Sequence, residues 1–373
     1  MQFTLTEEQD ALRASVRRFL EQEYPFEARQ ALANSELGFS RERWQEFADL
    51  GWLGLGIPEE LGGLGGTFRD LCILLEDFGA HLLLEPFCST AVLASRILEK
   101  SPRTQQTEAL LARIAQGSVR LALAHSESDS RYGEVHVATS ATSHADGYSL
   151  SGGKCLVLDA PGADLLIVSA RVDEDERYGL FLVDVHAPGI ELNRYPLLDG
   201  TRAADVRMNN VVLERTALFT PSTAAASVLD EAIDRSILAG VAYMLGVLRA
   251  TLNLTATYTQ SRVQFGQPLF KLQSVQHKLA DMFVEVQQVE SILQCGISQL
   301  DRAAPARAYA VSAAKLVTMT AGRAVTGMGV QAHGAIGLTD EYRMGHYFKK
   351  LLVFEKLLGD IDYHAERMMR GQS

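Results

Sequence analysis

The stretch Ser261 to Met282, SRVQFGQPLFKLQSVQHKLADM, decides the fold. Gly266 and Pro268 stand two apart, and neither continues a helix comfortably, since glycine frees the backbone and proline lacks an amide donor. A helix must stop here, a loop must form and a second helix must begin. From Leu272 the apolar positions run Leu272, Val275, Leu279, Met282, Val286, Val289 and Leu293, alternating steps of three and four. That is the seam of a helix facing other helices. A helix bundle therefore surrounds the loop, which itself offers Arg262, Gln264, Phe265 and Gln267. A guanidinium, an aromatic ring and amides suit a polyanionic, aromatic ligand such as a dinucleotide, although by themselves they more often mark an ordinary polar loop.

Toward the N-terminus, Thr6-Glu-Glu-Gln9 fits a capping box, and Leu12, Val16, Phe19 and Leu20 follow at helical spacing, so a first helix begins near Thr6. A second helix over about 40–50 stops at Gly51. The run GWLGLGIPEELGGLGG that follows is punctuated by residues that either make turns or approach a ligand. Helical spacing resumes through Leu71, Leu74, Leu75 and Phe78, then from Ala91 to Leu98 and from Thr107 to Ala115, which predicts an all-α domain over 1–117. The pattern then changes to short alternating runs parted by Asp146-Gly147, Gly152-Gly153 and Pro188-Gly189, read as turns. ADLLIVSARV and GLFLVDV are buried strand candidates, so 118–220 reads as a β domain. Long amphipathic segments at 224–260, 272–300, 305–331 and on to about 370 predict a C-terminal four-helix bundle over 221–373.

With 373 residues the chain has room for a large core or several subdomains. A formal net charge of -11 argues against nucleic acid as a partner, because phosphate backbones need clustered Lys and Arg. Cys72, Cys88, Cys155 and Cys295 lack paired spacing, so reduced thiols are expected rather than a disulfide framework or a zinc site, and no metal is expected. MQFTLTEEQD has no basic region leading into an apolar one, and no apolar run approaches a membrane span. A cytoplasmic protein without a membrane partner is the expectation.

RVQFGQPL followed by FKLQSVQHKLADM closely resembles the R-x-Q-F-G loop and subsequent helix of the acyl-CoA dehydrogenase family, and Gln331-Ala-His-Gly-Ala-Ile-Gly337 resembles that family's second block. The likeness extends over nearly all of the chain. GWLGLGIPEELGGLGG is similar to the family's G-x-P-E-x-x-G-G-x-G loop, and the late HYFKKL and GDxDxH segments resemble the small subunit of pimeloyl-CoA dehydrogenase. The resemblance implies the family fold, in the order helical, β, helical. It implies FAD as cofactor, an acyl-CoA thioester as substrate and electron-transferring flavoprotein as the usual electron acceptor. In that family the first block holds FAD from one subunit and the second reaches the same FAD from a neighbour. On this resemblance the cofactor residues are Arg262, Gln264, Phe265, Gln331 and Gly334.

The family's chemistry removes an α-proton with a carboxylate while flavin N5 takes the β-hydride, and that carboxylate needs a dry pocket to raise its pKa. Alignment on the family's Y-E-G-T segment puts Leu358 at the glutamate, Gly359 at the glycine and Asp360 at the threonine. A leucine takes no proton. Glu355 lies three residues upstream, within a helical run, where a solvent-facing position is expected. Asp360 and Asp362 are nearer the expected loop, as bases or as caps of the next helix. Some members place the glutamate in an L-E-R-x-x-x-A-G pattern. The matching residues run from Ile233 to Gly240 and put Asp234 on the glutamate, either as the catalytic base or as one of two charges, with Arg235, on a helix surface.

The flavin-ring contacts are altered too. The family's T-E-P-x-x-G-S-D segment corresponds to Ser126-Glu127-Ser128-Asp129, which keeps a hydroxyl at Ser126 for the ring. G-K-x-x-W-I-T becomes Gly153 to Asp159, with Val157 for the tryptophan and Asp159 for the threonine. A carboxylate beside a reduced flavin disfavours the added negative charge. A chain with these losses is what one subunit of a heteromer looks like, paired with a second acyl-CoA dehydrogenase chain. A homo-oligomer and a non-catalytic acyl-CoA-binding or scaffolding protein are the other readings.

Overall fold

The computed structural model describes residues 5–130, 132, 137–173 and 175–370. Helices α1 (Glu7–Glu23), α2 (Phe26–Ala33), α3 (Arg41–Asp49) and α4 (Phe68–His81) come first. A π-helical stretch, Cys88–Ala94, runs into α5 (Ser95–Lys100), and α6 (Gln105–Ala115) follows. Then come β1 (Leu121–Ala124), β2 (Ser140–His144), β3 (Gly147–Leu158), β4 (Leu165–Val172), β5 (Tyr178–Asp184), β6 (Ile190–Pro196), β7 (Arg202–Glu214) and β8 (Leu218–Thr220). The chain ends with α7 (Ser222–Ser261), a hairpin of β9 (Val263–Gln264) and β10 (Gln267–Pro268), α8 (Gln273–Gln299), α9 (Ala304–His333), α10 (Arg343–Phe354) and α11 (Ile361–Arg370). They gather into two compact units, one of Met1–Ala31, Phe68–Leu83 and Ile237–Ser373, the other of Leu32–Thr67 and Leu84–Ser236.

In the first unit the capping box forms as the sequence predicts: Thr6 Oγ1 accepts from the Gln9 amide and Gln9 Oε1 from the Thr6 amide, both at 3.2 Å. The seam of α8 is real where Met282, Val286, Val289 and Leu293 are buried, whereas Leu272, Val275 and Leu279 are only half-buried. Helices α4 and α7 cross with their backbones touching, because a Cβ at Gly79 would overlap the Tyr243 carbonyl and one at Gly246 would overlap the Glu76 carbonyl. Arg249 braces the crossing, pairing with Glu76 and, at 2.7 Å, with Glu290. Among the described residues α7 is the one helix long and apolar enough to cross a membrane, which corrects the expectation that no run approaches that length. Two thirds of its most apolar window is buried (67%), as in the core helix of a bundle. The last long segment is two helices rather than one. Leu358 (φ +56) and Gly359 (φ +114) leave the helical region, and Asp360 caps α11 by accepting from the Tyr363 amide at 3.1 Å.

The second unit is built on a sheet with strand order β6-β7-β3-β2-β4-β5-β8, and β1 lies parallel against β4. Along β4 and β5 alternate residues enter different cores. Ile167, Leu180 and Leu182 pack with Leu110, Leu111 and Leu229, while Leu166, Val168, Phe181 and Val183 pack with Leu150, Val206 and Val211. Burial on both faces explains why these strands read as continuous apolar runs instead of alternating ones. Gly152 and Gly153 are not a turn: they lie inside β3, and a Cβ on Gly152 (φ +146) would come within 2.7 Å of Thr139 Cα. The tight connection between β2 and β3 is Ala145-Asp146, with His144 paired to Gly147. Helix α2 gave no periodic signal, for it has eight residues and buries only Phe26 and Arg29.

Candidate functional site

Each unit brings together its own candidate residues. In the first, Val263 pairs with Pro268 and Gln264 with Gln267, leaving Phe265 and Gly266 at the two central positions of a hairpin. Their φ angles of +53° and +77° are those of a type I′ turn. Phenylalanine in this region is an outlier, since its Cβ crowds the following carbonyl oxygen. Its ring is 86% exposed, so no packing among the described residues compensates. Arg262 and Gln264 are exposed beside it, and the Arg262 guanidinium has no partner among the described residues.

The second block lies at the same end of the bundle. Tyr258, whose carbonyl accepts from the Arg262 amide at 2.8 Å, stacks on His333 with ring centroids 4.3 Å apart, and Gly334 follows directly. His333 is buried and neutral. Its Nδ1 donates to the Gly329 carbonyl at 2.8 Å, and burial holds its pKa below the ordinary value. Gly334 (φ +64, ψ -141) takes a conformation essentially closed to other residues, and Gln331 and Gly334 are both exposed.

In the second unit Ser126 is exposed between two inward-facing neighbours, His125 and Glu127. Glu127 is buried and accepts from the Ala138 amide at 2.7 Å, the Thr139 amide at 3.1 Å and the Thr139 hydroxyl at 2.7 Å. Lys154 on β3 has no exposed side-chain surface and reaches Glu127 at 2.7 Å, Ser169 Oγ at 2.9 Å and the His125 carbonyl at 3.3 Å. Burial lowers the Lys154 pKa to about 8 against the opposing pull of Glu127, and lowers His125 to about 4 with the Lys154 charge adding to it. Burial raises the Glu127 pKa, but bonds from Lys154 and Thr139 outweigh it and leave the carboxylate below its ordinary value. Sequence pattern missed this network because its partners lie 15 to 29 residues from Lys154. The one signal was a lysine inside an otherwise half-apolar strand.

The altered ring positions do not open onto a pocket wall in the expected way. Val157 is buried in the sheet core, and Leu156 (φ +51) is pushed outward by an irregularity of β3 between Lys154 and Val157. Asp159 accepts a hydrogen bond from the Ser89 hydroxyl.

The carboxylates separate clearly. Glu355 is not solvent-facing: it is buried and held in a fork by Arg323, with contacts of 2.5 Å and 3.0 Å. Both oxygens of this carboxylate are engaged by the guanidinium. Asp360 is a cap, and Asp362 is exposed. Asp234 is fully buried on α7, which overturns the surface-charge reading, while Arg235 is half-buried. The Leu358 carbonyl accepts from His364 Nε2 at 3.1 Å. Among the described residues no three His, Cys, Asp or Glu side chains gather as metal ligands.

The donors fit the diphosphate and adenine end of FAD, with an unpartnered guanidinium, exposed amides, a glycine turn and a free aromatic face. In the second unit the Ser126 hydroxyl is exposed.

The chain's own similarities agree. Residues 6–118 match the acyl-CoA dehydrogenase N-terminal domain and 206–372 the C-terminal domain. Acryloyl-CoA reductase (NADH) of Anaerotignum propionicum is 24% identical over 98% of this chain and 94% of its own length. A solved variant of the Tcur3481-Tcur3483 steroid ACAD is 30% identical, with a TM-score of 0.87 over 99% of this chain and 98% of that one. The ChsE4-ChsE5 complex from Mycobacterium tuberculosis is 25% identical, with a TM-score of 0.90 over 100% of this chain and 99% of that one. The chain thus belongs to the acyl-CoA dehydrogenase family, FAD-dependent oxidoreductases that act on CH-CH bonds.

Proposed function

We propose that this chain is one subunit of a heteromeric acyl-CoA dehydrogenase that oxidises the Cα–Cβ bond of an acyl-CoA thioester with FAD. The observation that carries this reading is the exposed set Arg262, Phe265 and Gly334, suited to the diphosphate and adenine, and it is taken with Leu358 at the position where the resemblance puts the family glutamate. Two further points support it. The two solved relatives described above bear the names of two proteins each. The small-subunit resemblance of the HYFKKL and GDxDxH segments points the same way.

Arg262 holds the FAD diphosphate, Phe265 packs on the adenine, and the Gln264 and Gln331 amides with the Gly334 backbone complete that end. Gln331 and Gly334 serve FAD shared with a neighbouring protomer. Ser126 donates to the flavin ring. When bound, FAD supplies the hydride acceptor, and this chain's side chains bind and orient it. The α-proton goes to a carboxylate of the second subunit. In a chain that turns over by itself it goes to Asp234, the one buried carboxylate matching a family glutamate position. A steroid acyl-CoA belongs among the thioesters to be tried, since one relative is a steroid ACAD. Electron-transferring flavoprotein is the proposed acceptor, and the cytoplasm the proposed compartment.

The test is the native mass and visible spectrum of the full-length chain, purified alone and after co-expression with a family member carrying an intact Y-E-G-T segment. A yellow two-protein assembly is expected, with little or no flavin on the chain alone. A fully yellow homotetramer removes the heteromer. A colourless protein in both preparations removes FAD and leaves a scaffolding role.

A further inference from the structure

Three consecutive residues, His125, Ser126 and Glu127, are tied to two consecutive residues of β3. The Lys154 ammonium takes the His125 carbonyl and the Glu127 carboxylate, while the Cys155 amide donates to the Ser126 carbonyl at 2.9 Å. Ser126 itself is the exposed member of the three. Its two neighbours are drawn inward by one buried cation, so its side chain is forced outward. The third ammonium proton goes to Ser169 Oγ, which also bonds His125 Nδ1 at 2.8 Å. All three donors of Lys154 are therefore spent on a single seat, and the seat has no net charge beyond the Lys154–Glu127 pair.

We propose that Lys154 is a positioning residue for the Ser126 hydroxyl, fixing where this chain presents that donor to the flavin ring. The inference rests on the reading that Ser126 faces FAD. Lys154 touches no flavin atom: it acts by holding the backbone on both sides of Ser126. A buried lysine kept only for stability carries no such linkage to one exposed hydroxyl.

The test is a cycle of FAD affinities measured by titrating FAD into the assembly freed of cofactor and following flavin fluorescence. The variants are Ser126→Ala, the pair Lys154→Met with Glu127→Gln, which avoids leaving a lone buried carboxylate, and all three substitutions together. Circular dichroism and melting follow the fold. Loss of one hydrogen bond predicts roughly three- to tenfold weaker FAD binding for Ser126→Ala. The Lys154/Glu127 pair is expected to match that loss, and the triple variant to bind no worse than either. Ser126→Ala with unchanged affinity overturns the reading of Ser126 and the inference with it. Ser126→Ala that weakens binding, with a further full loss when the pair is added, leaves that reading standing and overturns the role of Lys154. If the paired variant does not fold, Lys154→Arg takes its place in the same cycle, since it keeps the charge but not the geometry of the ammonium.

Discussion

The ammonium of Lys315 on α9 lies 2.6 Å from the carbonyl oxygen of Phe354 and 3.4 Å from the centroid of the same residue's ring. It also donates to the Leu357 carbonyl at 3.0 Å. The Leu357 carbonyl lies beyond the end of α10, the Phe354 carbonyl accepts one backbone bond there, from the Leu357 amide at 3.3 Å, and a buried cation serves both. The turn that carries Leu358 is thus held from α9, and a second time by His364.

Lys315→Met should therefore destabilise the protein. The thioether fills most of the volume but removes the ammonium donor from the Phe354 and Leu357 carbonyls, of which Phe354 keeps the Leu357 amide, at a cost of about 1–3 kcal/mol. Urea denaturation measures it, and an unchanged midpoint would show that water replaces the ammonium.

Gly246→Ala should be worse. The added methyl meets the Glu76 carbonyl of α4, a rigid backbone atom, and overpacking of this kind costs roughly 3 kcal/mol or more. Gly266→Ala, in the hairpin tip with open space around its Cα, should lose only the backbone term for φ +77°, about 1–2 kcal/mol. Thermal melts of the two variants should differ in that order.

Acid should unfold the protein earlier than its carboxylates alone would dictate. Burial holds His364 down to about 3 and His125 to about 4, with the charges of Lys315 and Lys154 respectively adding to it. His364 Nε2 donates to the Leu358 carbonyl and Nδ1 accepts from Ser312, so both nitrogens are committed to the neutral ring. Folded pKa values lie below the unfolded value of about 6.5, so the unfolded chain binds these protons first. The contribution is intact above pH 6.5 and is lost as pH falls toward 4. By pH 5 the loss amounts to about 2 kcal/mol per histidine. Stability measured from pH 7 to pH 4.5 should show this slope, and His364→Asn should flatten part of it.

Arg262→Ala should weaken FAD binding about 10- to 100-fold without changing the melting temperature of the flavin-free protein, because the guanidinium has no partner among the described residues to lose. Unchanged FAD retention in the isolated protein and in the assembly would take Arg262 out of the site.

What the sequence carried legibly was local. The Thr6–Gln9 capping box, the α8 seam and the break at Gly266 and Pro268 all depend on residues within a turn or two of each other, and each is present. The β4 and β5 runs were legible because both of their faces are buried. The failures were long-range. Glu355 resembled a surface residue until Arg323, 32 positions upstream on another helix, was seen to neutralise it. Gly152-Gly153 read as a turn because a close approach to Thr139 leaves the same glycine signature as a reversal of the chain. The type I′ turn at Phe265 contradicts residue preference, which is why the loop's geometry was not foreseen. At the candidate site, residue identities were legible and the Lys154 support beneath Ser126 was not.

The most direct test of the account is anaerobic addition of an acyl-CoA thioester to the chain alone and to its assembly with a glutamate-bearing family member, following loss of the flavin's visible absorption. The account predicts rapid bleaching in the assembly and none in the chain alone, with Asp234→Asn in this chain leaving the assembly's rate unchanged. Rapid bleaching of the chain by itself, abolished by Asp234→Asn, would contradict the heteromer and make Asp234 the proton acceptor.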